Sequence, residues 1–150
     1  MSALDNAYNI FDLREAVPAT VNRLVAQSKA SVDGRIQKTA GDMIVPFDQI
    51  EASLALYRRA FESRGLRYAV WGHLSDGNLH PNVIPMSLAE MERGQDALVE
   101  IADGVMALGG SPLAEHGVGR SALKQAFVRR LVGEDGIDQM RAIKRALDPT

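Results

Sequence analysis

The chain's 150 residues suit one domain, and a hydrophobic content of 46% supplies a core without disulfides or a structural metal. A net charge of -2 excludes the basic footprint of a nucleic-acid binder and a polybasic membrane anchor. The lack of cysteine excludes thiolate metal sites and a cysteine nucleophile, and fits a reducing cytoplasm.

Met1 to Asn9 is polar and lacks the pattern of a secretory signal. No apolar run approaches the ~20 residues of a membrane helix, so any membrane association would run through partners. Tyr8 to Ala30 reads as helical, with Phe11, Leu13, Val17, Val21, Leu24 and Val25 at helical spacing. Pro18 predicts a break there, opening a second helix after Val17. Ser31 to Gln37 predicts a loop or edge strand around the Asp33-Gly34 turn.

Asp42 to Val45 reads as a strand ending at Pro46. Asp48, with Glu51 three residues on, predicts a capped helix start, and Gly65 its stop. Tyr68 to Leu74 and Leu79 to Ile84 predict a hairpin closed at Asp76-Gly77-Asn78. Ser87 and Glu90 predict the cap of a helix that runs to about Leu108 and stops at Gly109-Gly110. Ser111 to Leu113 reads as a last short strand. Ser121 to Val132 and Ile137 to Leu147 read as two helices parted by Gly133 and Gly136. The central order strand, helix, strand, strand, helix, strand predicts an α+β fold. Its core is a ferredoxin-like antiparallel sheet (βαββαβ) with helices on one face, flanked by N- and C-terminal helices.

All three histidines fall in two short motifs. One runs from Trp71 through Gly72-His73-Leu74-Ser75-Asp76-Gly77-Asn78-Leu79-His80 to Asn82. The other is Ala114-Glu115-His116-Gly117-Val118-Gly119-Arg120. The hairpin predicts that His73 and His80 face each other across the strand pair, about 4.5–5.5 Å apart at Cβ. Two imidazoles so placed can share a divalent ion, with Glu115 as third ligand from the end of the last strand. On extended backbone His116 points away from Glu115 and is free to act as a general base. Asp76 and Asn82 are candidates to fix the imidazoles. Trp71 is either a wall of this site or an ordinary buried strand residue.

The Gly72–His80 segment resembles the GHxGDGNLH motif of FAD-linked oxidases of the vanillyl-alcohol-oxidase type. D-lactate, glycolate and D-2-hydroxyglutarate dehydrogenases are among these. Glu115-His116-Gly117-Val118-Gly119 resembles their GEHGIG motif, with Lys124 downstream. Asp42-Met43-Ile44-Val45-Pro46 resembles their DVSVP stretch, Leu13-Arg14-Glu15 an LRE motif, and Leu147-Asp148-Pro149-Thr150 the start of LDPxGxxNPGK. The resemblance spans nearly the whole chain and implies the C-terminal, substrate-binding cap domain, residues 1–150, with the FAD-binding domain elsewhere.

The same resemblance implies His73, His80 and Glu115 as ligands of zinc or manganese, and His116 as the base. Hydride would leave the substrate for FAD. Arg14 would pair with the substrate carboxylate, Asn82 would hydrogen-bond substrate, and Asn78 would touch the cofactor. The family's basic residue before DVSVP is replaced by Ala40-Gly41, which leaves Lys38 as the nearest cation for a second carboxylate contact. Ser75 and Ala114 replace motif glycines. The expectation is the substrate and metal part of an FAD-dependent enzyme oxidising a 2-hydroxy acid to a 2-oxo acid. Its partners would be that acid and an FAD-binding domain or subunit, with self-association open to the exposed site face. The alternative is a standalone metal- or small-molecule-binding module without redox activity.

Overall fold

The structure, a computed structural model, describes residues 3–148, with side chains from Asp12 onward. The elements are α1 (Ala3–Ser31), β1 (Thr39–Ala40), β2 (Met43–Ile44), α2 (Ile50–Glu62), β3 (Tyr68–His73), β4 (Asn78–Val83), α3 (Leu88–Ala107) and α4 (Ala122–Leu147). They form a mixed architecture of helices and one antiparallel sheet, as expected at the level of class. Pro149 and Thr150, the end of the last motif, lie outside the described residues.

All six residues of β4 are buried, because both of its edges are paired. β3 pairs with it along its whole length, with Trp71 opposite His80 and His73 opposite Asn78. β1 and β2 take the other edge, with Ala40 opposite Asn82 and Met43 opposite Leu79. The two short strands share one register, which places Gly41 opposite Pro81 and Asp42 opposite His80. Pro81 explains the gap between them. Its carbonyl accepts from the Gly41 N–H at 2.8 Å, but proline has no N–H to return. The expected strand over Asp42 to Val45 is present as β2, shortened to Met43–Ile44, and Asp42 sits in the gap just before it.

Strand alternation then sorts β4 into two faces. Leu79 and Val83 enter the main core with Tyr57 and Phe61 of α2 and Leu98, Ile101 and Val105 of α3. Asn78, His80 and Asn82 face the other way. Helix α1 covers part of that second face, where Val21 and Val25 pack on Ile36 with Ala69 and Trp71 alongside. The sheet thus carries helices on both faces, not one.

Several local expectations need correction. Pro18 lies inside α1 and does not split it. Docking of Val21 and Val25 outweighs the one hydrogen bond that proline removes. Asp48 is not an N-cap. A 3-10 turn over Phe47–Gln49 precedes α2, whose cap position, Gln49, makes no side-chain bond. Ser111 to Leu113 forms two isolated bridges, Asp42 with Leu113 and Ile44 with Ser111, rather than a strand. Ser31 ends α1, and Val32 to Gln37 is a loop. Other features are as expected. Ser87 Oγ accepts from the Glu90 N–H at 3.1 Å. Gly133, at φ 69° and ψ 178°, breaks the run after Ser121, although Gly136 does not.

Tyr57 is buried, and its hydroxyl has no hydrogen-bond partner. Burial pushes its phenol up to about 12, with the Ser53 hydroxyl acting in the opposite sense. The folded-state value exceeds the unfolded one of about 10, so the neutral phenol's contribution is complete below pH 10 and is lost as pH rises towards 12. At about 1.4 kcal/mol per unit, the loss is roughly 2–3 kcal/mol. In Tyr57→Phe this alkaline loss should disappear, with stability at pH 7 unchanged or slightly higher. Denaturant melts at pH 7 and pH 11 check both statements, and an equally steep alkaline loss in the variant would contradict them.

Candidate metal and substrate site

The turn after β3 sets the site's geometry. Leu74–Asp76 form one 3-10 turn, closed by Gly77 at φ 70°. This loop offsets the two histidines. They are diagonal rather than directly opposed, on one face of the sheet, with ring centroids 6.3 Å apart and planes at 88°. Glu115 Oε1 bridges them, 3.2 Å from His80 Nε2 and 3.7 Å from His73 Nε2.

His116 converges on the same carboxylate oxygen, with Nε2 3.4 Å away. The expected opposite orientation of Glu115 and His116 assumed extended backbone, but the chain bends at these residues. Asp42 produces that bend. Its Oδ2 accepts from both consecutive backbone N–H groups, Glu115 at 3.0 Å and His116 at 2.7 Å. Its Oδ1 lies 3.4 Å from His80 Nδ1, and both atoms are buried without a hydrogen-bond partner.

Asp42, His80, Glu115 and His116 bring ligand-type atoms within 4.8 Å of one another. Asp42 is the weakest ligand candidate of the four. One of its oxygens is committed to two backbone donors, and the other meets the Nδ1 side of His80, away from the Nε2 that faces Glu115. Two ligand atoms at ~2.0–2.2 Å from one tetrahedral ion stand roughly 3.3–3.6 Å apart. The distances from Glu115 Oε1 to His73, His80 and His116 lie close to that spacing. His80, His116 and Glu115 thus offer a two-imidazole, one-carboxylate donor set compact enough for a divalent ion, whereas His73 lies outside the group whose ligand atoms all fall within 4.8 Å of one another, its Nε2 3.7 Å from Glu115 Oε1.

His80 is buried, its side chain 8% exposed, while those of His73, Glu115 and His116 are 44%, 45% and 59% exposed. Burial is the main cause that lowers the His80 pKa, with nearby Asp42 opposing it. A neutral imidazole at physiological pH is the form that ligates a metal.

Two adjoining cavities open onto these groups. One, of about 250 Å³, is lined by Arg14, Glu15, Pro18, Trp71, Gly72, His73, His80, Glu115 and His116. The other, of about 450 Å³, is lined by Pro18, Lys38, Trp71, His80, Asn82, His116, Ser121 and Lys124, among others. Trp71 is half-buried and lines both, so it is a site wall. Lys38 Nζ sits 5.0 Å over its ring, and desolvation lowers the pKa of this amine. Arg14 opens onto the first cavity, its Nε 4.0 Å from Glu15.

Two expected supports act differently. Asp76 is exposed and accepts from the Ser75 hydroxyl at 2.9 Å. Asn82 donates to the His80 carbonyl at 2.7 Å, so it holds the backbone rather than the ring. Its Oδ1 and that of Asn78 are buried without a hydrogen-bond partner. Asp42 was missed as a site residue because it reads as an ordinary strand start. The signal that could have found it is Pro81, which marks where the neighbouring strand must open.

Comparison with known proteins identifies the family. The family model for FAD linked oxidases, C-terminal domain, matches residues 5–150. The chain is 34% identical over 110 residues to the glycolate oxidase subunit GlcD of Bacillus subtilis, covering 72% of this chain and 23% of that protein. It is 34% identical over 116 residues to the D-2-hydroxyglutarate dehydrogenase of Escherichia coli, covering 73% of this chain and 11% of that protein. It is 29% identical over 108 residues to the mitochondrial D-lactate dehydrogenase (cytochrome) 1 of Saccharomyces cerevisiae, covering 72% and 18%. The chain thus spans less than a quarter of the length of each of these relatives. Among the described residues, no helix is long and apolar enough to cross a membrane. A match over nearly its whole length, which takes in both histidine motifs, means that the chain belongs to the FAD linked oxidase C-terminal domain family.

Proposed function

We propose that this chain is the substrate- and metal-binding part of an FAD-dependent enzyme that oxidises a 2-hydroxy acid to a 2-oxo acid. The observation that carries the reading is the convergence of His73, His80 and His116 on one oxygen of Glu115, at the mouth of a cavity that also reaches Arg14. Three relatives named for glycolate, D-lactate and D-2-hydroxyglutarate support the substrate class. A ferredoxin-like topology is part of the proposal. It is supported by the spatial order of residues 111–113, then β1 and β2, then β4, then β3.

His73, His80 and Glu115 would hold a zinc or manganese ion. Such an ion would supply Lewis-acid polarisation of the substrate hydroxyl and carboxylate, and FAD, held mainly by a partner domain or subunit, would supply the hydride acceptor. His116, the most exposed of the three imidazoles, takes the hydroxyl proton at Nε2 as hydride leaves the α-carbon. Arg14 pairs with the substrate carboxylate through its planar fork. Lys38, held over Trp71, gives a second cationic contact. Asn82, on the wall of the second cavity, would hydrogen-bond the substrate, and Asn78 would touch the cofactor side.

Anaerobic reduction of the flavin in the FAD-containing assembly tests the reading. A 2-hydroxy acid should bleach the flavin, and His116→Ala should slow that step by about 10²–10⁴-fold. Equal bleaching rates in the two proteins would reject His116 as the base. No bleaching by any 2-hydroxy acid would reject the substrate class.

A further inference from the structure

We infer that Asp42 is a positioning residue that fixes the His80 tautomer and clamps the Glu115–His116 bend, so that one carboxylate orients three members of the site. The inference rests on the proposed metal centre for its consequence, but not for its geometry.

The two oxygens of Asp42 do different work. Oδ2 accepts the Glu115 and His116 backbone N–H groups at 3.0 and 2.7 Å, which brings both side chains to the same side of the sheet. Oδ1 faces His80 Nδ1 at 3.4 Å. Both of these atoms are buried and neither makes a full hydrogen bond, so each faces the other across a dry 3.4 Å contact, and Asp42 as a whole is 3% exposed. A lone pair on Nδ1 would face a carboxylate lone pair with no water to screen it. A proton on Nδ1 turns the same contact into attraction. Nδ1 therefore carries the hydrogen, and Nε2 presents its lone pair towards Glu115 Oε1, 3.2 Å away. A ligating imidazole needs this arrangement, with a carboxylate behind it to fix the ring and raise its basicity. The placement follows from the sheet, since the register of β1 and β2 on β4 sets Asp42 opposite His80.

Asp42→Asn separates the two duties. The variant's amide oxygen can keep both backbone N–H bonds. Its NH₂ then faces His80 Nδ1, which must become an acceptor, so the proton moves to Nε2 and points into the ligand position. Nitrogen-15 NMR of the imidazoles in the metal-free chain at pH 8 reads this directly. His80 should carry its proton on Nδ1 in the wild type and on Nε2 in Asp42→Asn. Zinc affinity of the variant should fall by about 10–100-fold. A wild-type His80 protonated on Nε2 overturns the inference without any variant. So does an unchanged tautomer in a well-dispersed variant spectrum. If the tautomer switches as stated but neither protein binds zinc or manganese, the positioning role stands and the proposed metal centre fails.

Discussion

Zinc or manganese added in excess to the wild-type chain should raise its melting temperature, and the rise should vanish in His80→Ala. At a free concentration 100 times Kd, a ligand that binds only the folded state adds about 2.7 kcal/mol of stability. For a chain of this size that corresponds to a shift of roughly 5–10 °C. His80 should dominate because its position is already fixed. Its side chain is 8% exposed, with Asp42 behind it and Glu115 3.2 Å in front, so it loses little freedom on binding an ion. We expect its removal to weaken the metal by more than ~100-fold, beyond the 10–100-fold typical of losing a supporting contact. His73 is 44% exposed and sits at the edge of the group, 3.7 Å from Glu115 Oε1 and with its ring centroid 6.3 Å from that of His80. His73→Ala should cost less, about tenfold to a hundredfold. The quantity to compare is the shift between metal and chelator in each protein, because His80→Ala also leaves the buried Asp42 carboxylate facing a void. A full metal-dependent shift in His80→Ala would show that the ion, if bound, is bound elsewhere.

The contrast between His80 and Asp42 also shows what could be read from sequence. The hairpin was legible because turn residues between two apolar stretches have one inexpensive solution, and Asp76-Gly77-Asn78 supplies it. The gathering of His73, His80 and Glu115 at one end of the sheet followed from that hairpin and from a chain segment returning past β2. Finer details depended on register, which no local pattern announces. The 3-10 turn over Leu74–Asp76 shifts the pairing so that His80 meets Trp71 rather than His73. Asp42 entered the site only through its register with His80, across a strand broken by Pro81. The bend at Glu115 and His116 depends in turn on Asp42, 73 residues away in the chain. Pro18 misled for the opposite reason. A local rule against proline in a helix gave way to the docking of Val21 and Val25, a tertiary contact that the rule does not include.

Gly77→Ala should be a strongly damaging single-methyl change in the hairpin. At φ 70° an alanine costs about 1–2 kcal/mol in any setting. Here a Cβ would also stand 2.0 Å from the Val45 carbonyl oxygen, a backbone atom that cannot rotate away. Val45 N donates to Gly77 O at 3.1 Å, so relieving the clash must pull β2 and the turn apart. Overpacking of this kind adds about 1–3 kcal/mol, and the total should lower the melting temperature by roughly 10 °C. Gly65→Ala is the matched control. It has φ 62° but nothing within 4 Å of the added methyl, so only the backbone term of about 1–2 kcal/mol applies. The two variants should diverge again in metal binding. Gly77 holds the turn between His73 and His80 against the strand that carries Asp42, so its displacement should weaken zinc by at least ~10-fold, whereas Gly65→Ala should bind as the wild type does. Equal melting temperatures for the two variants would mean that the turn and β2 are not locked together. The histidine pair would then owe its spacing to the loop alone.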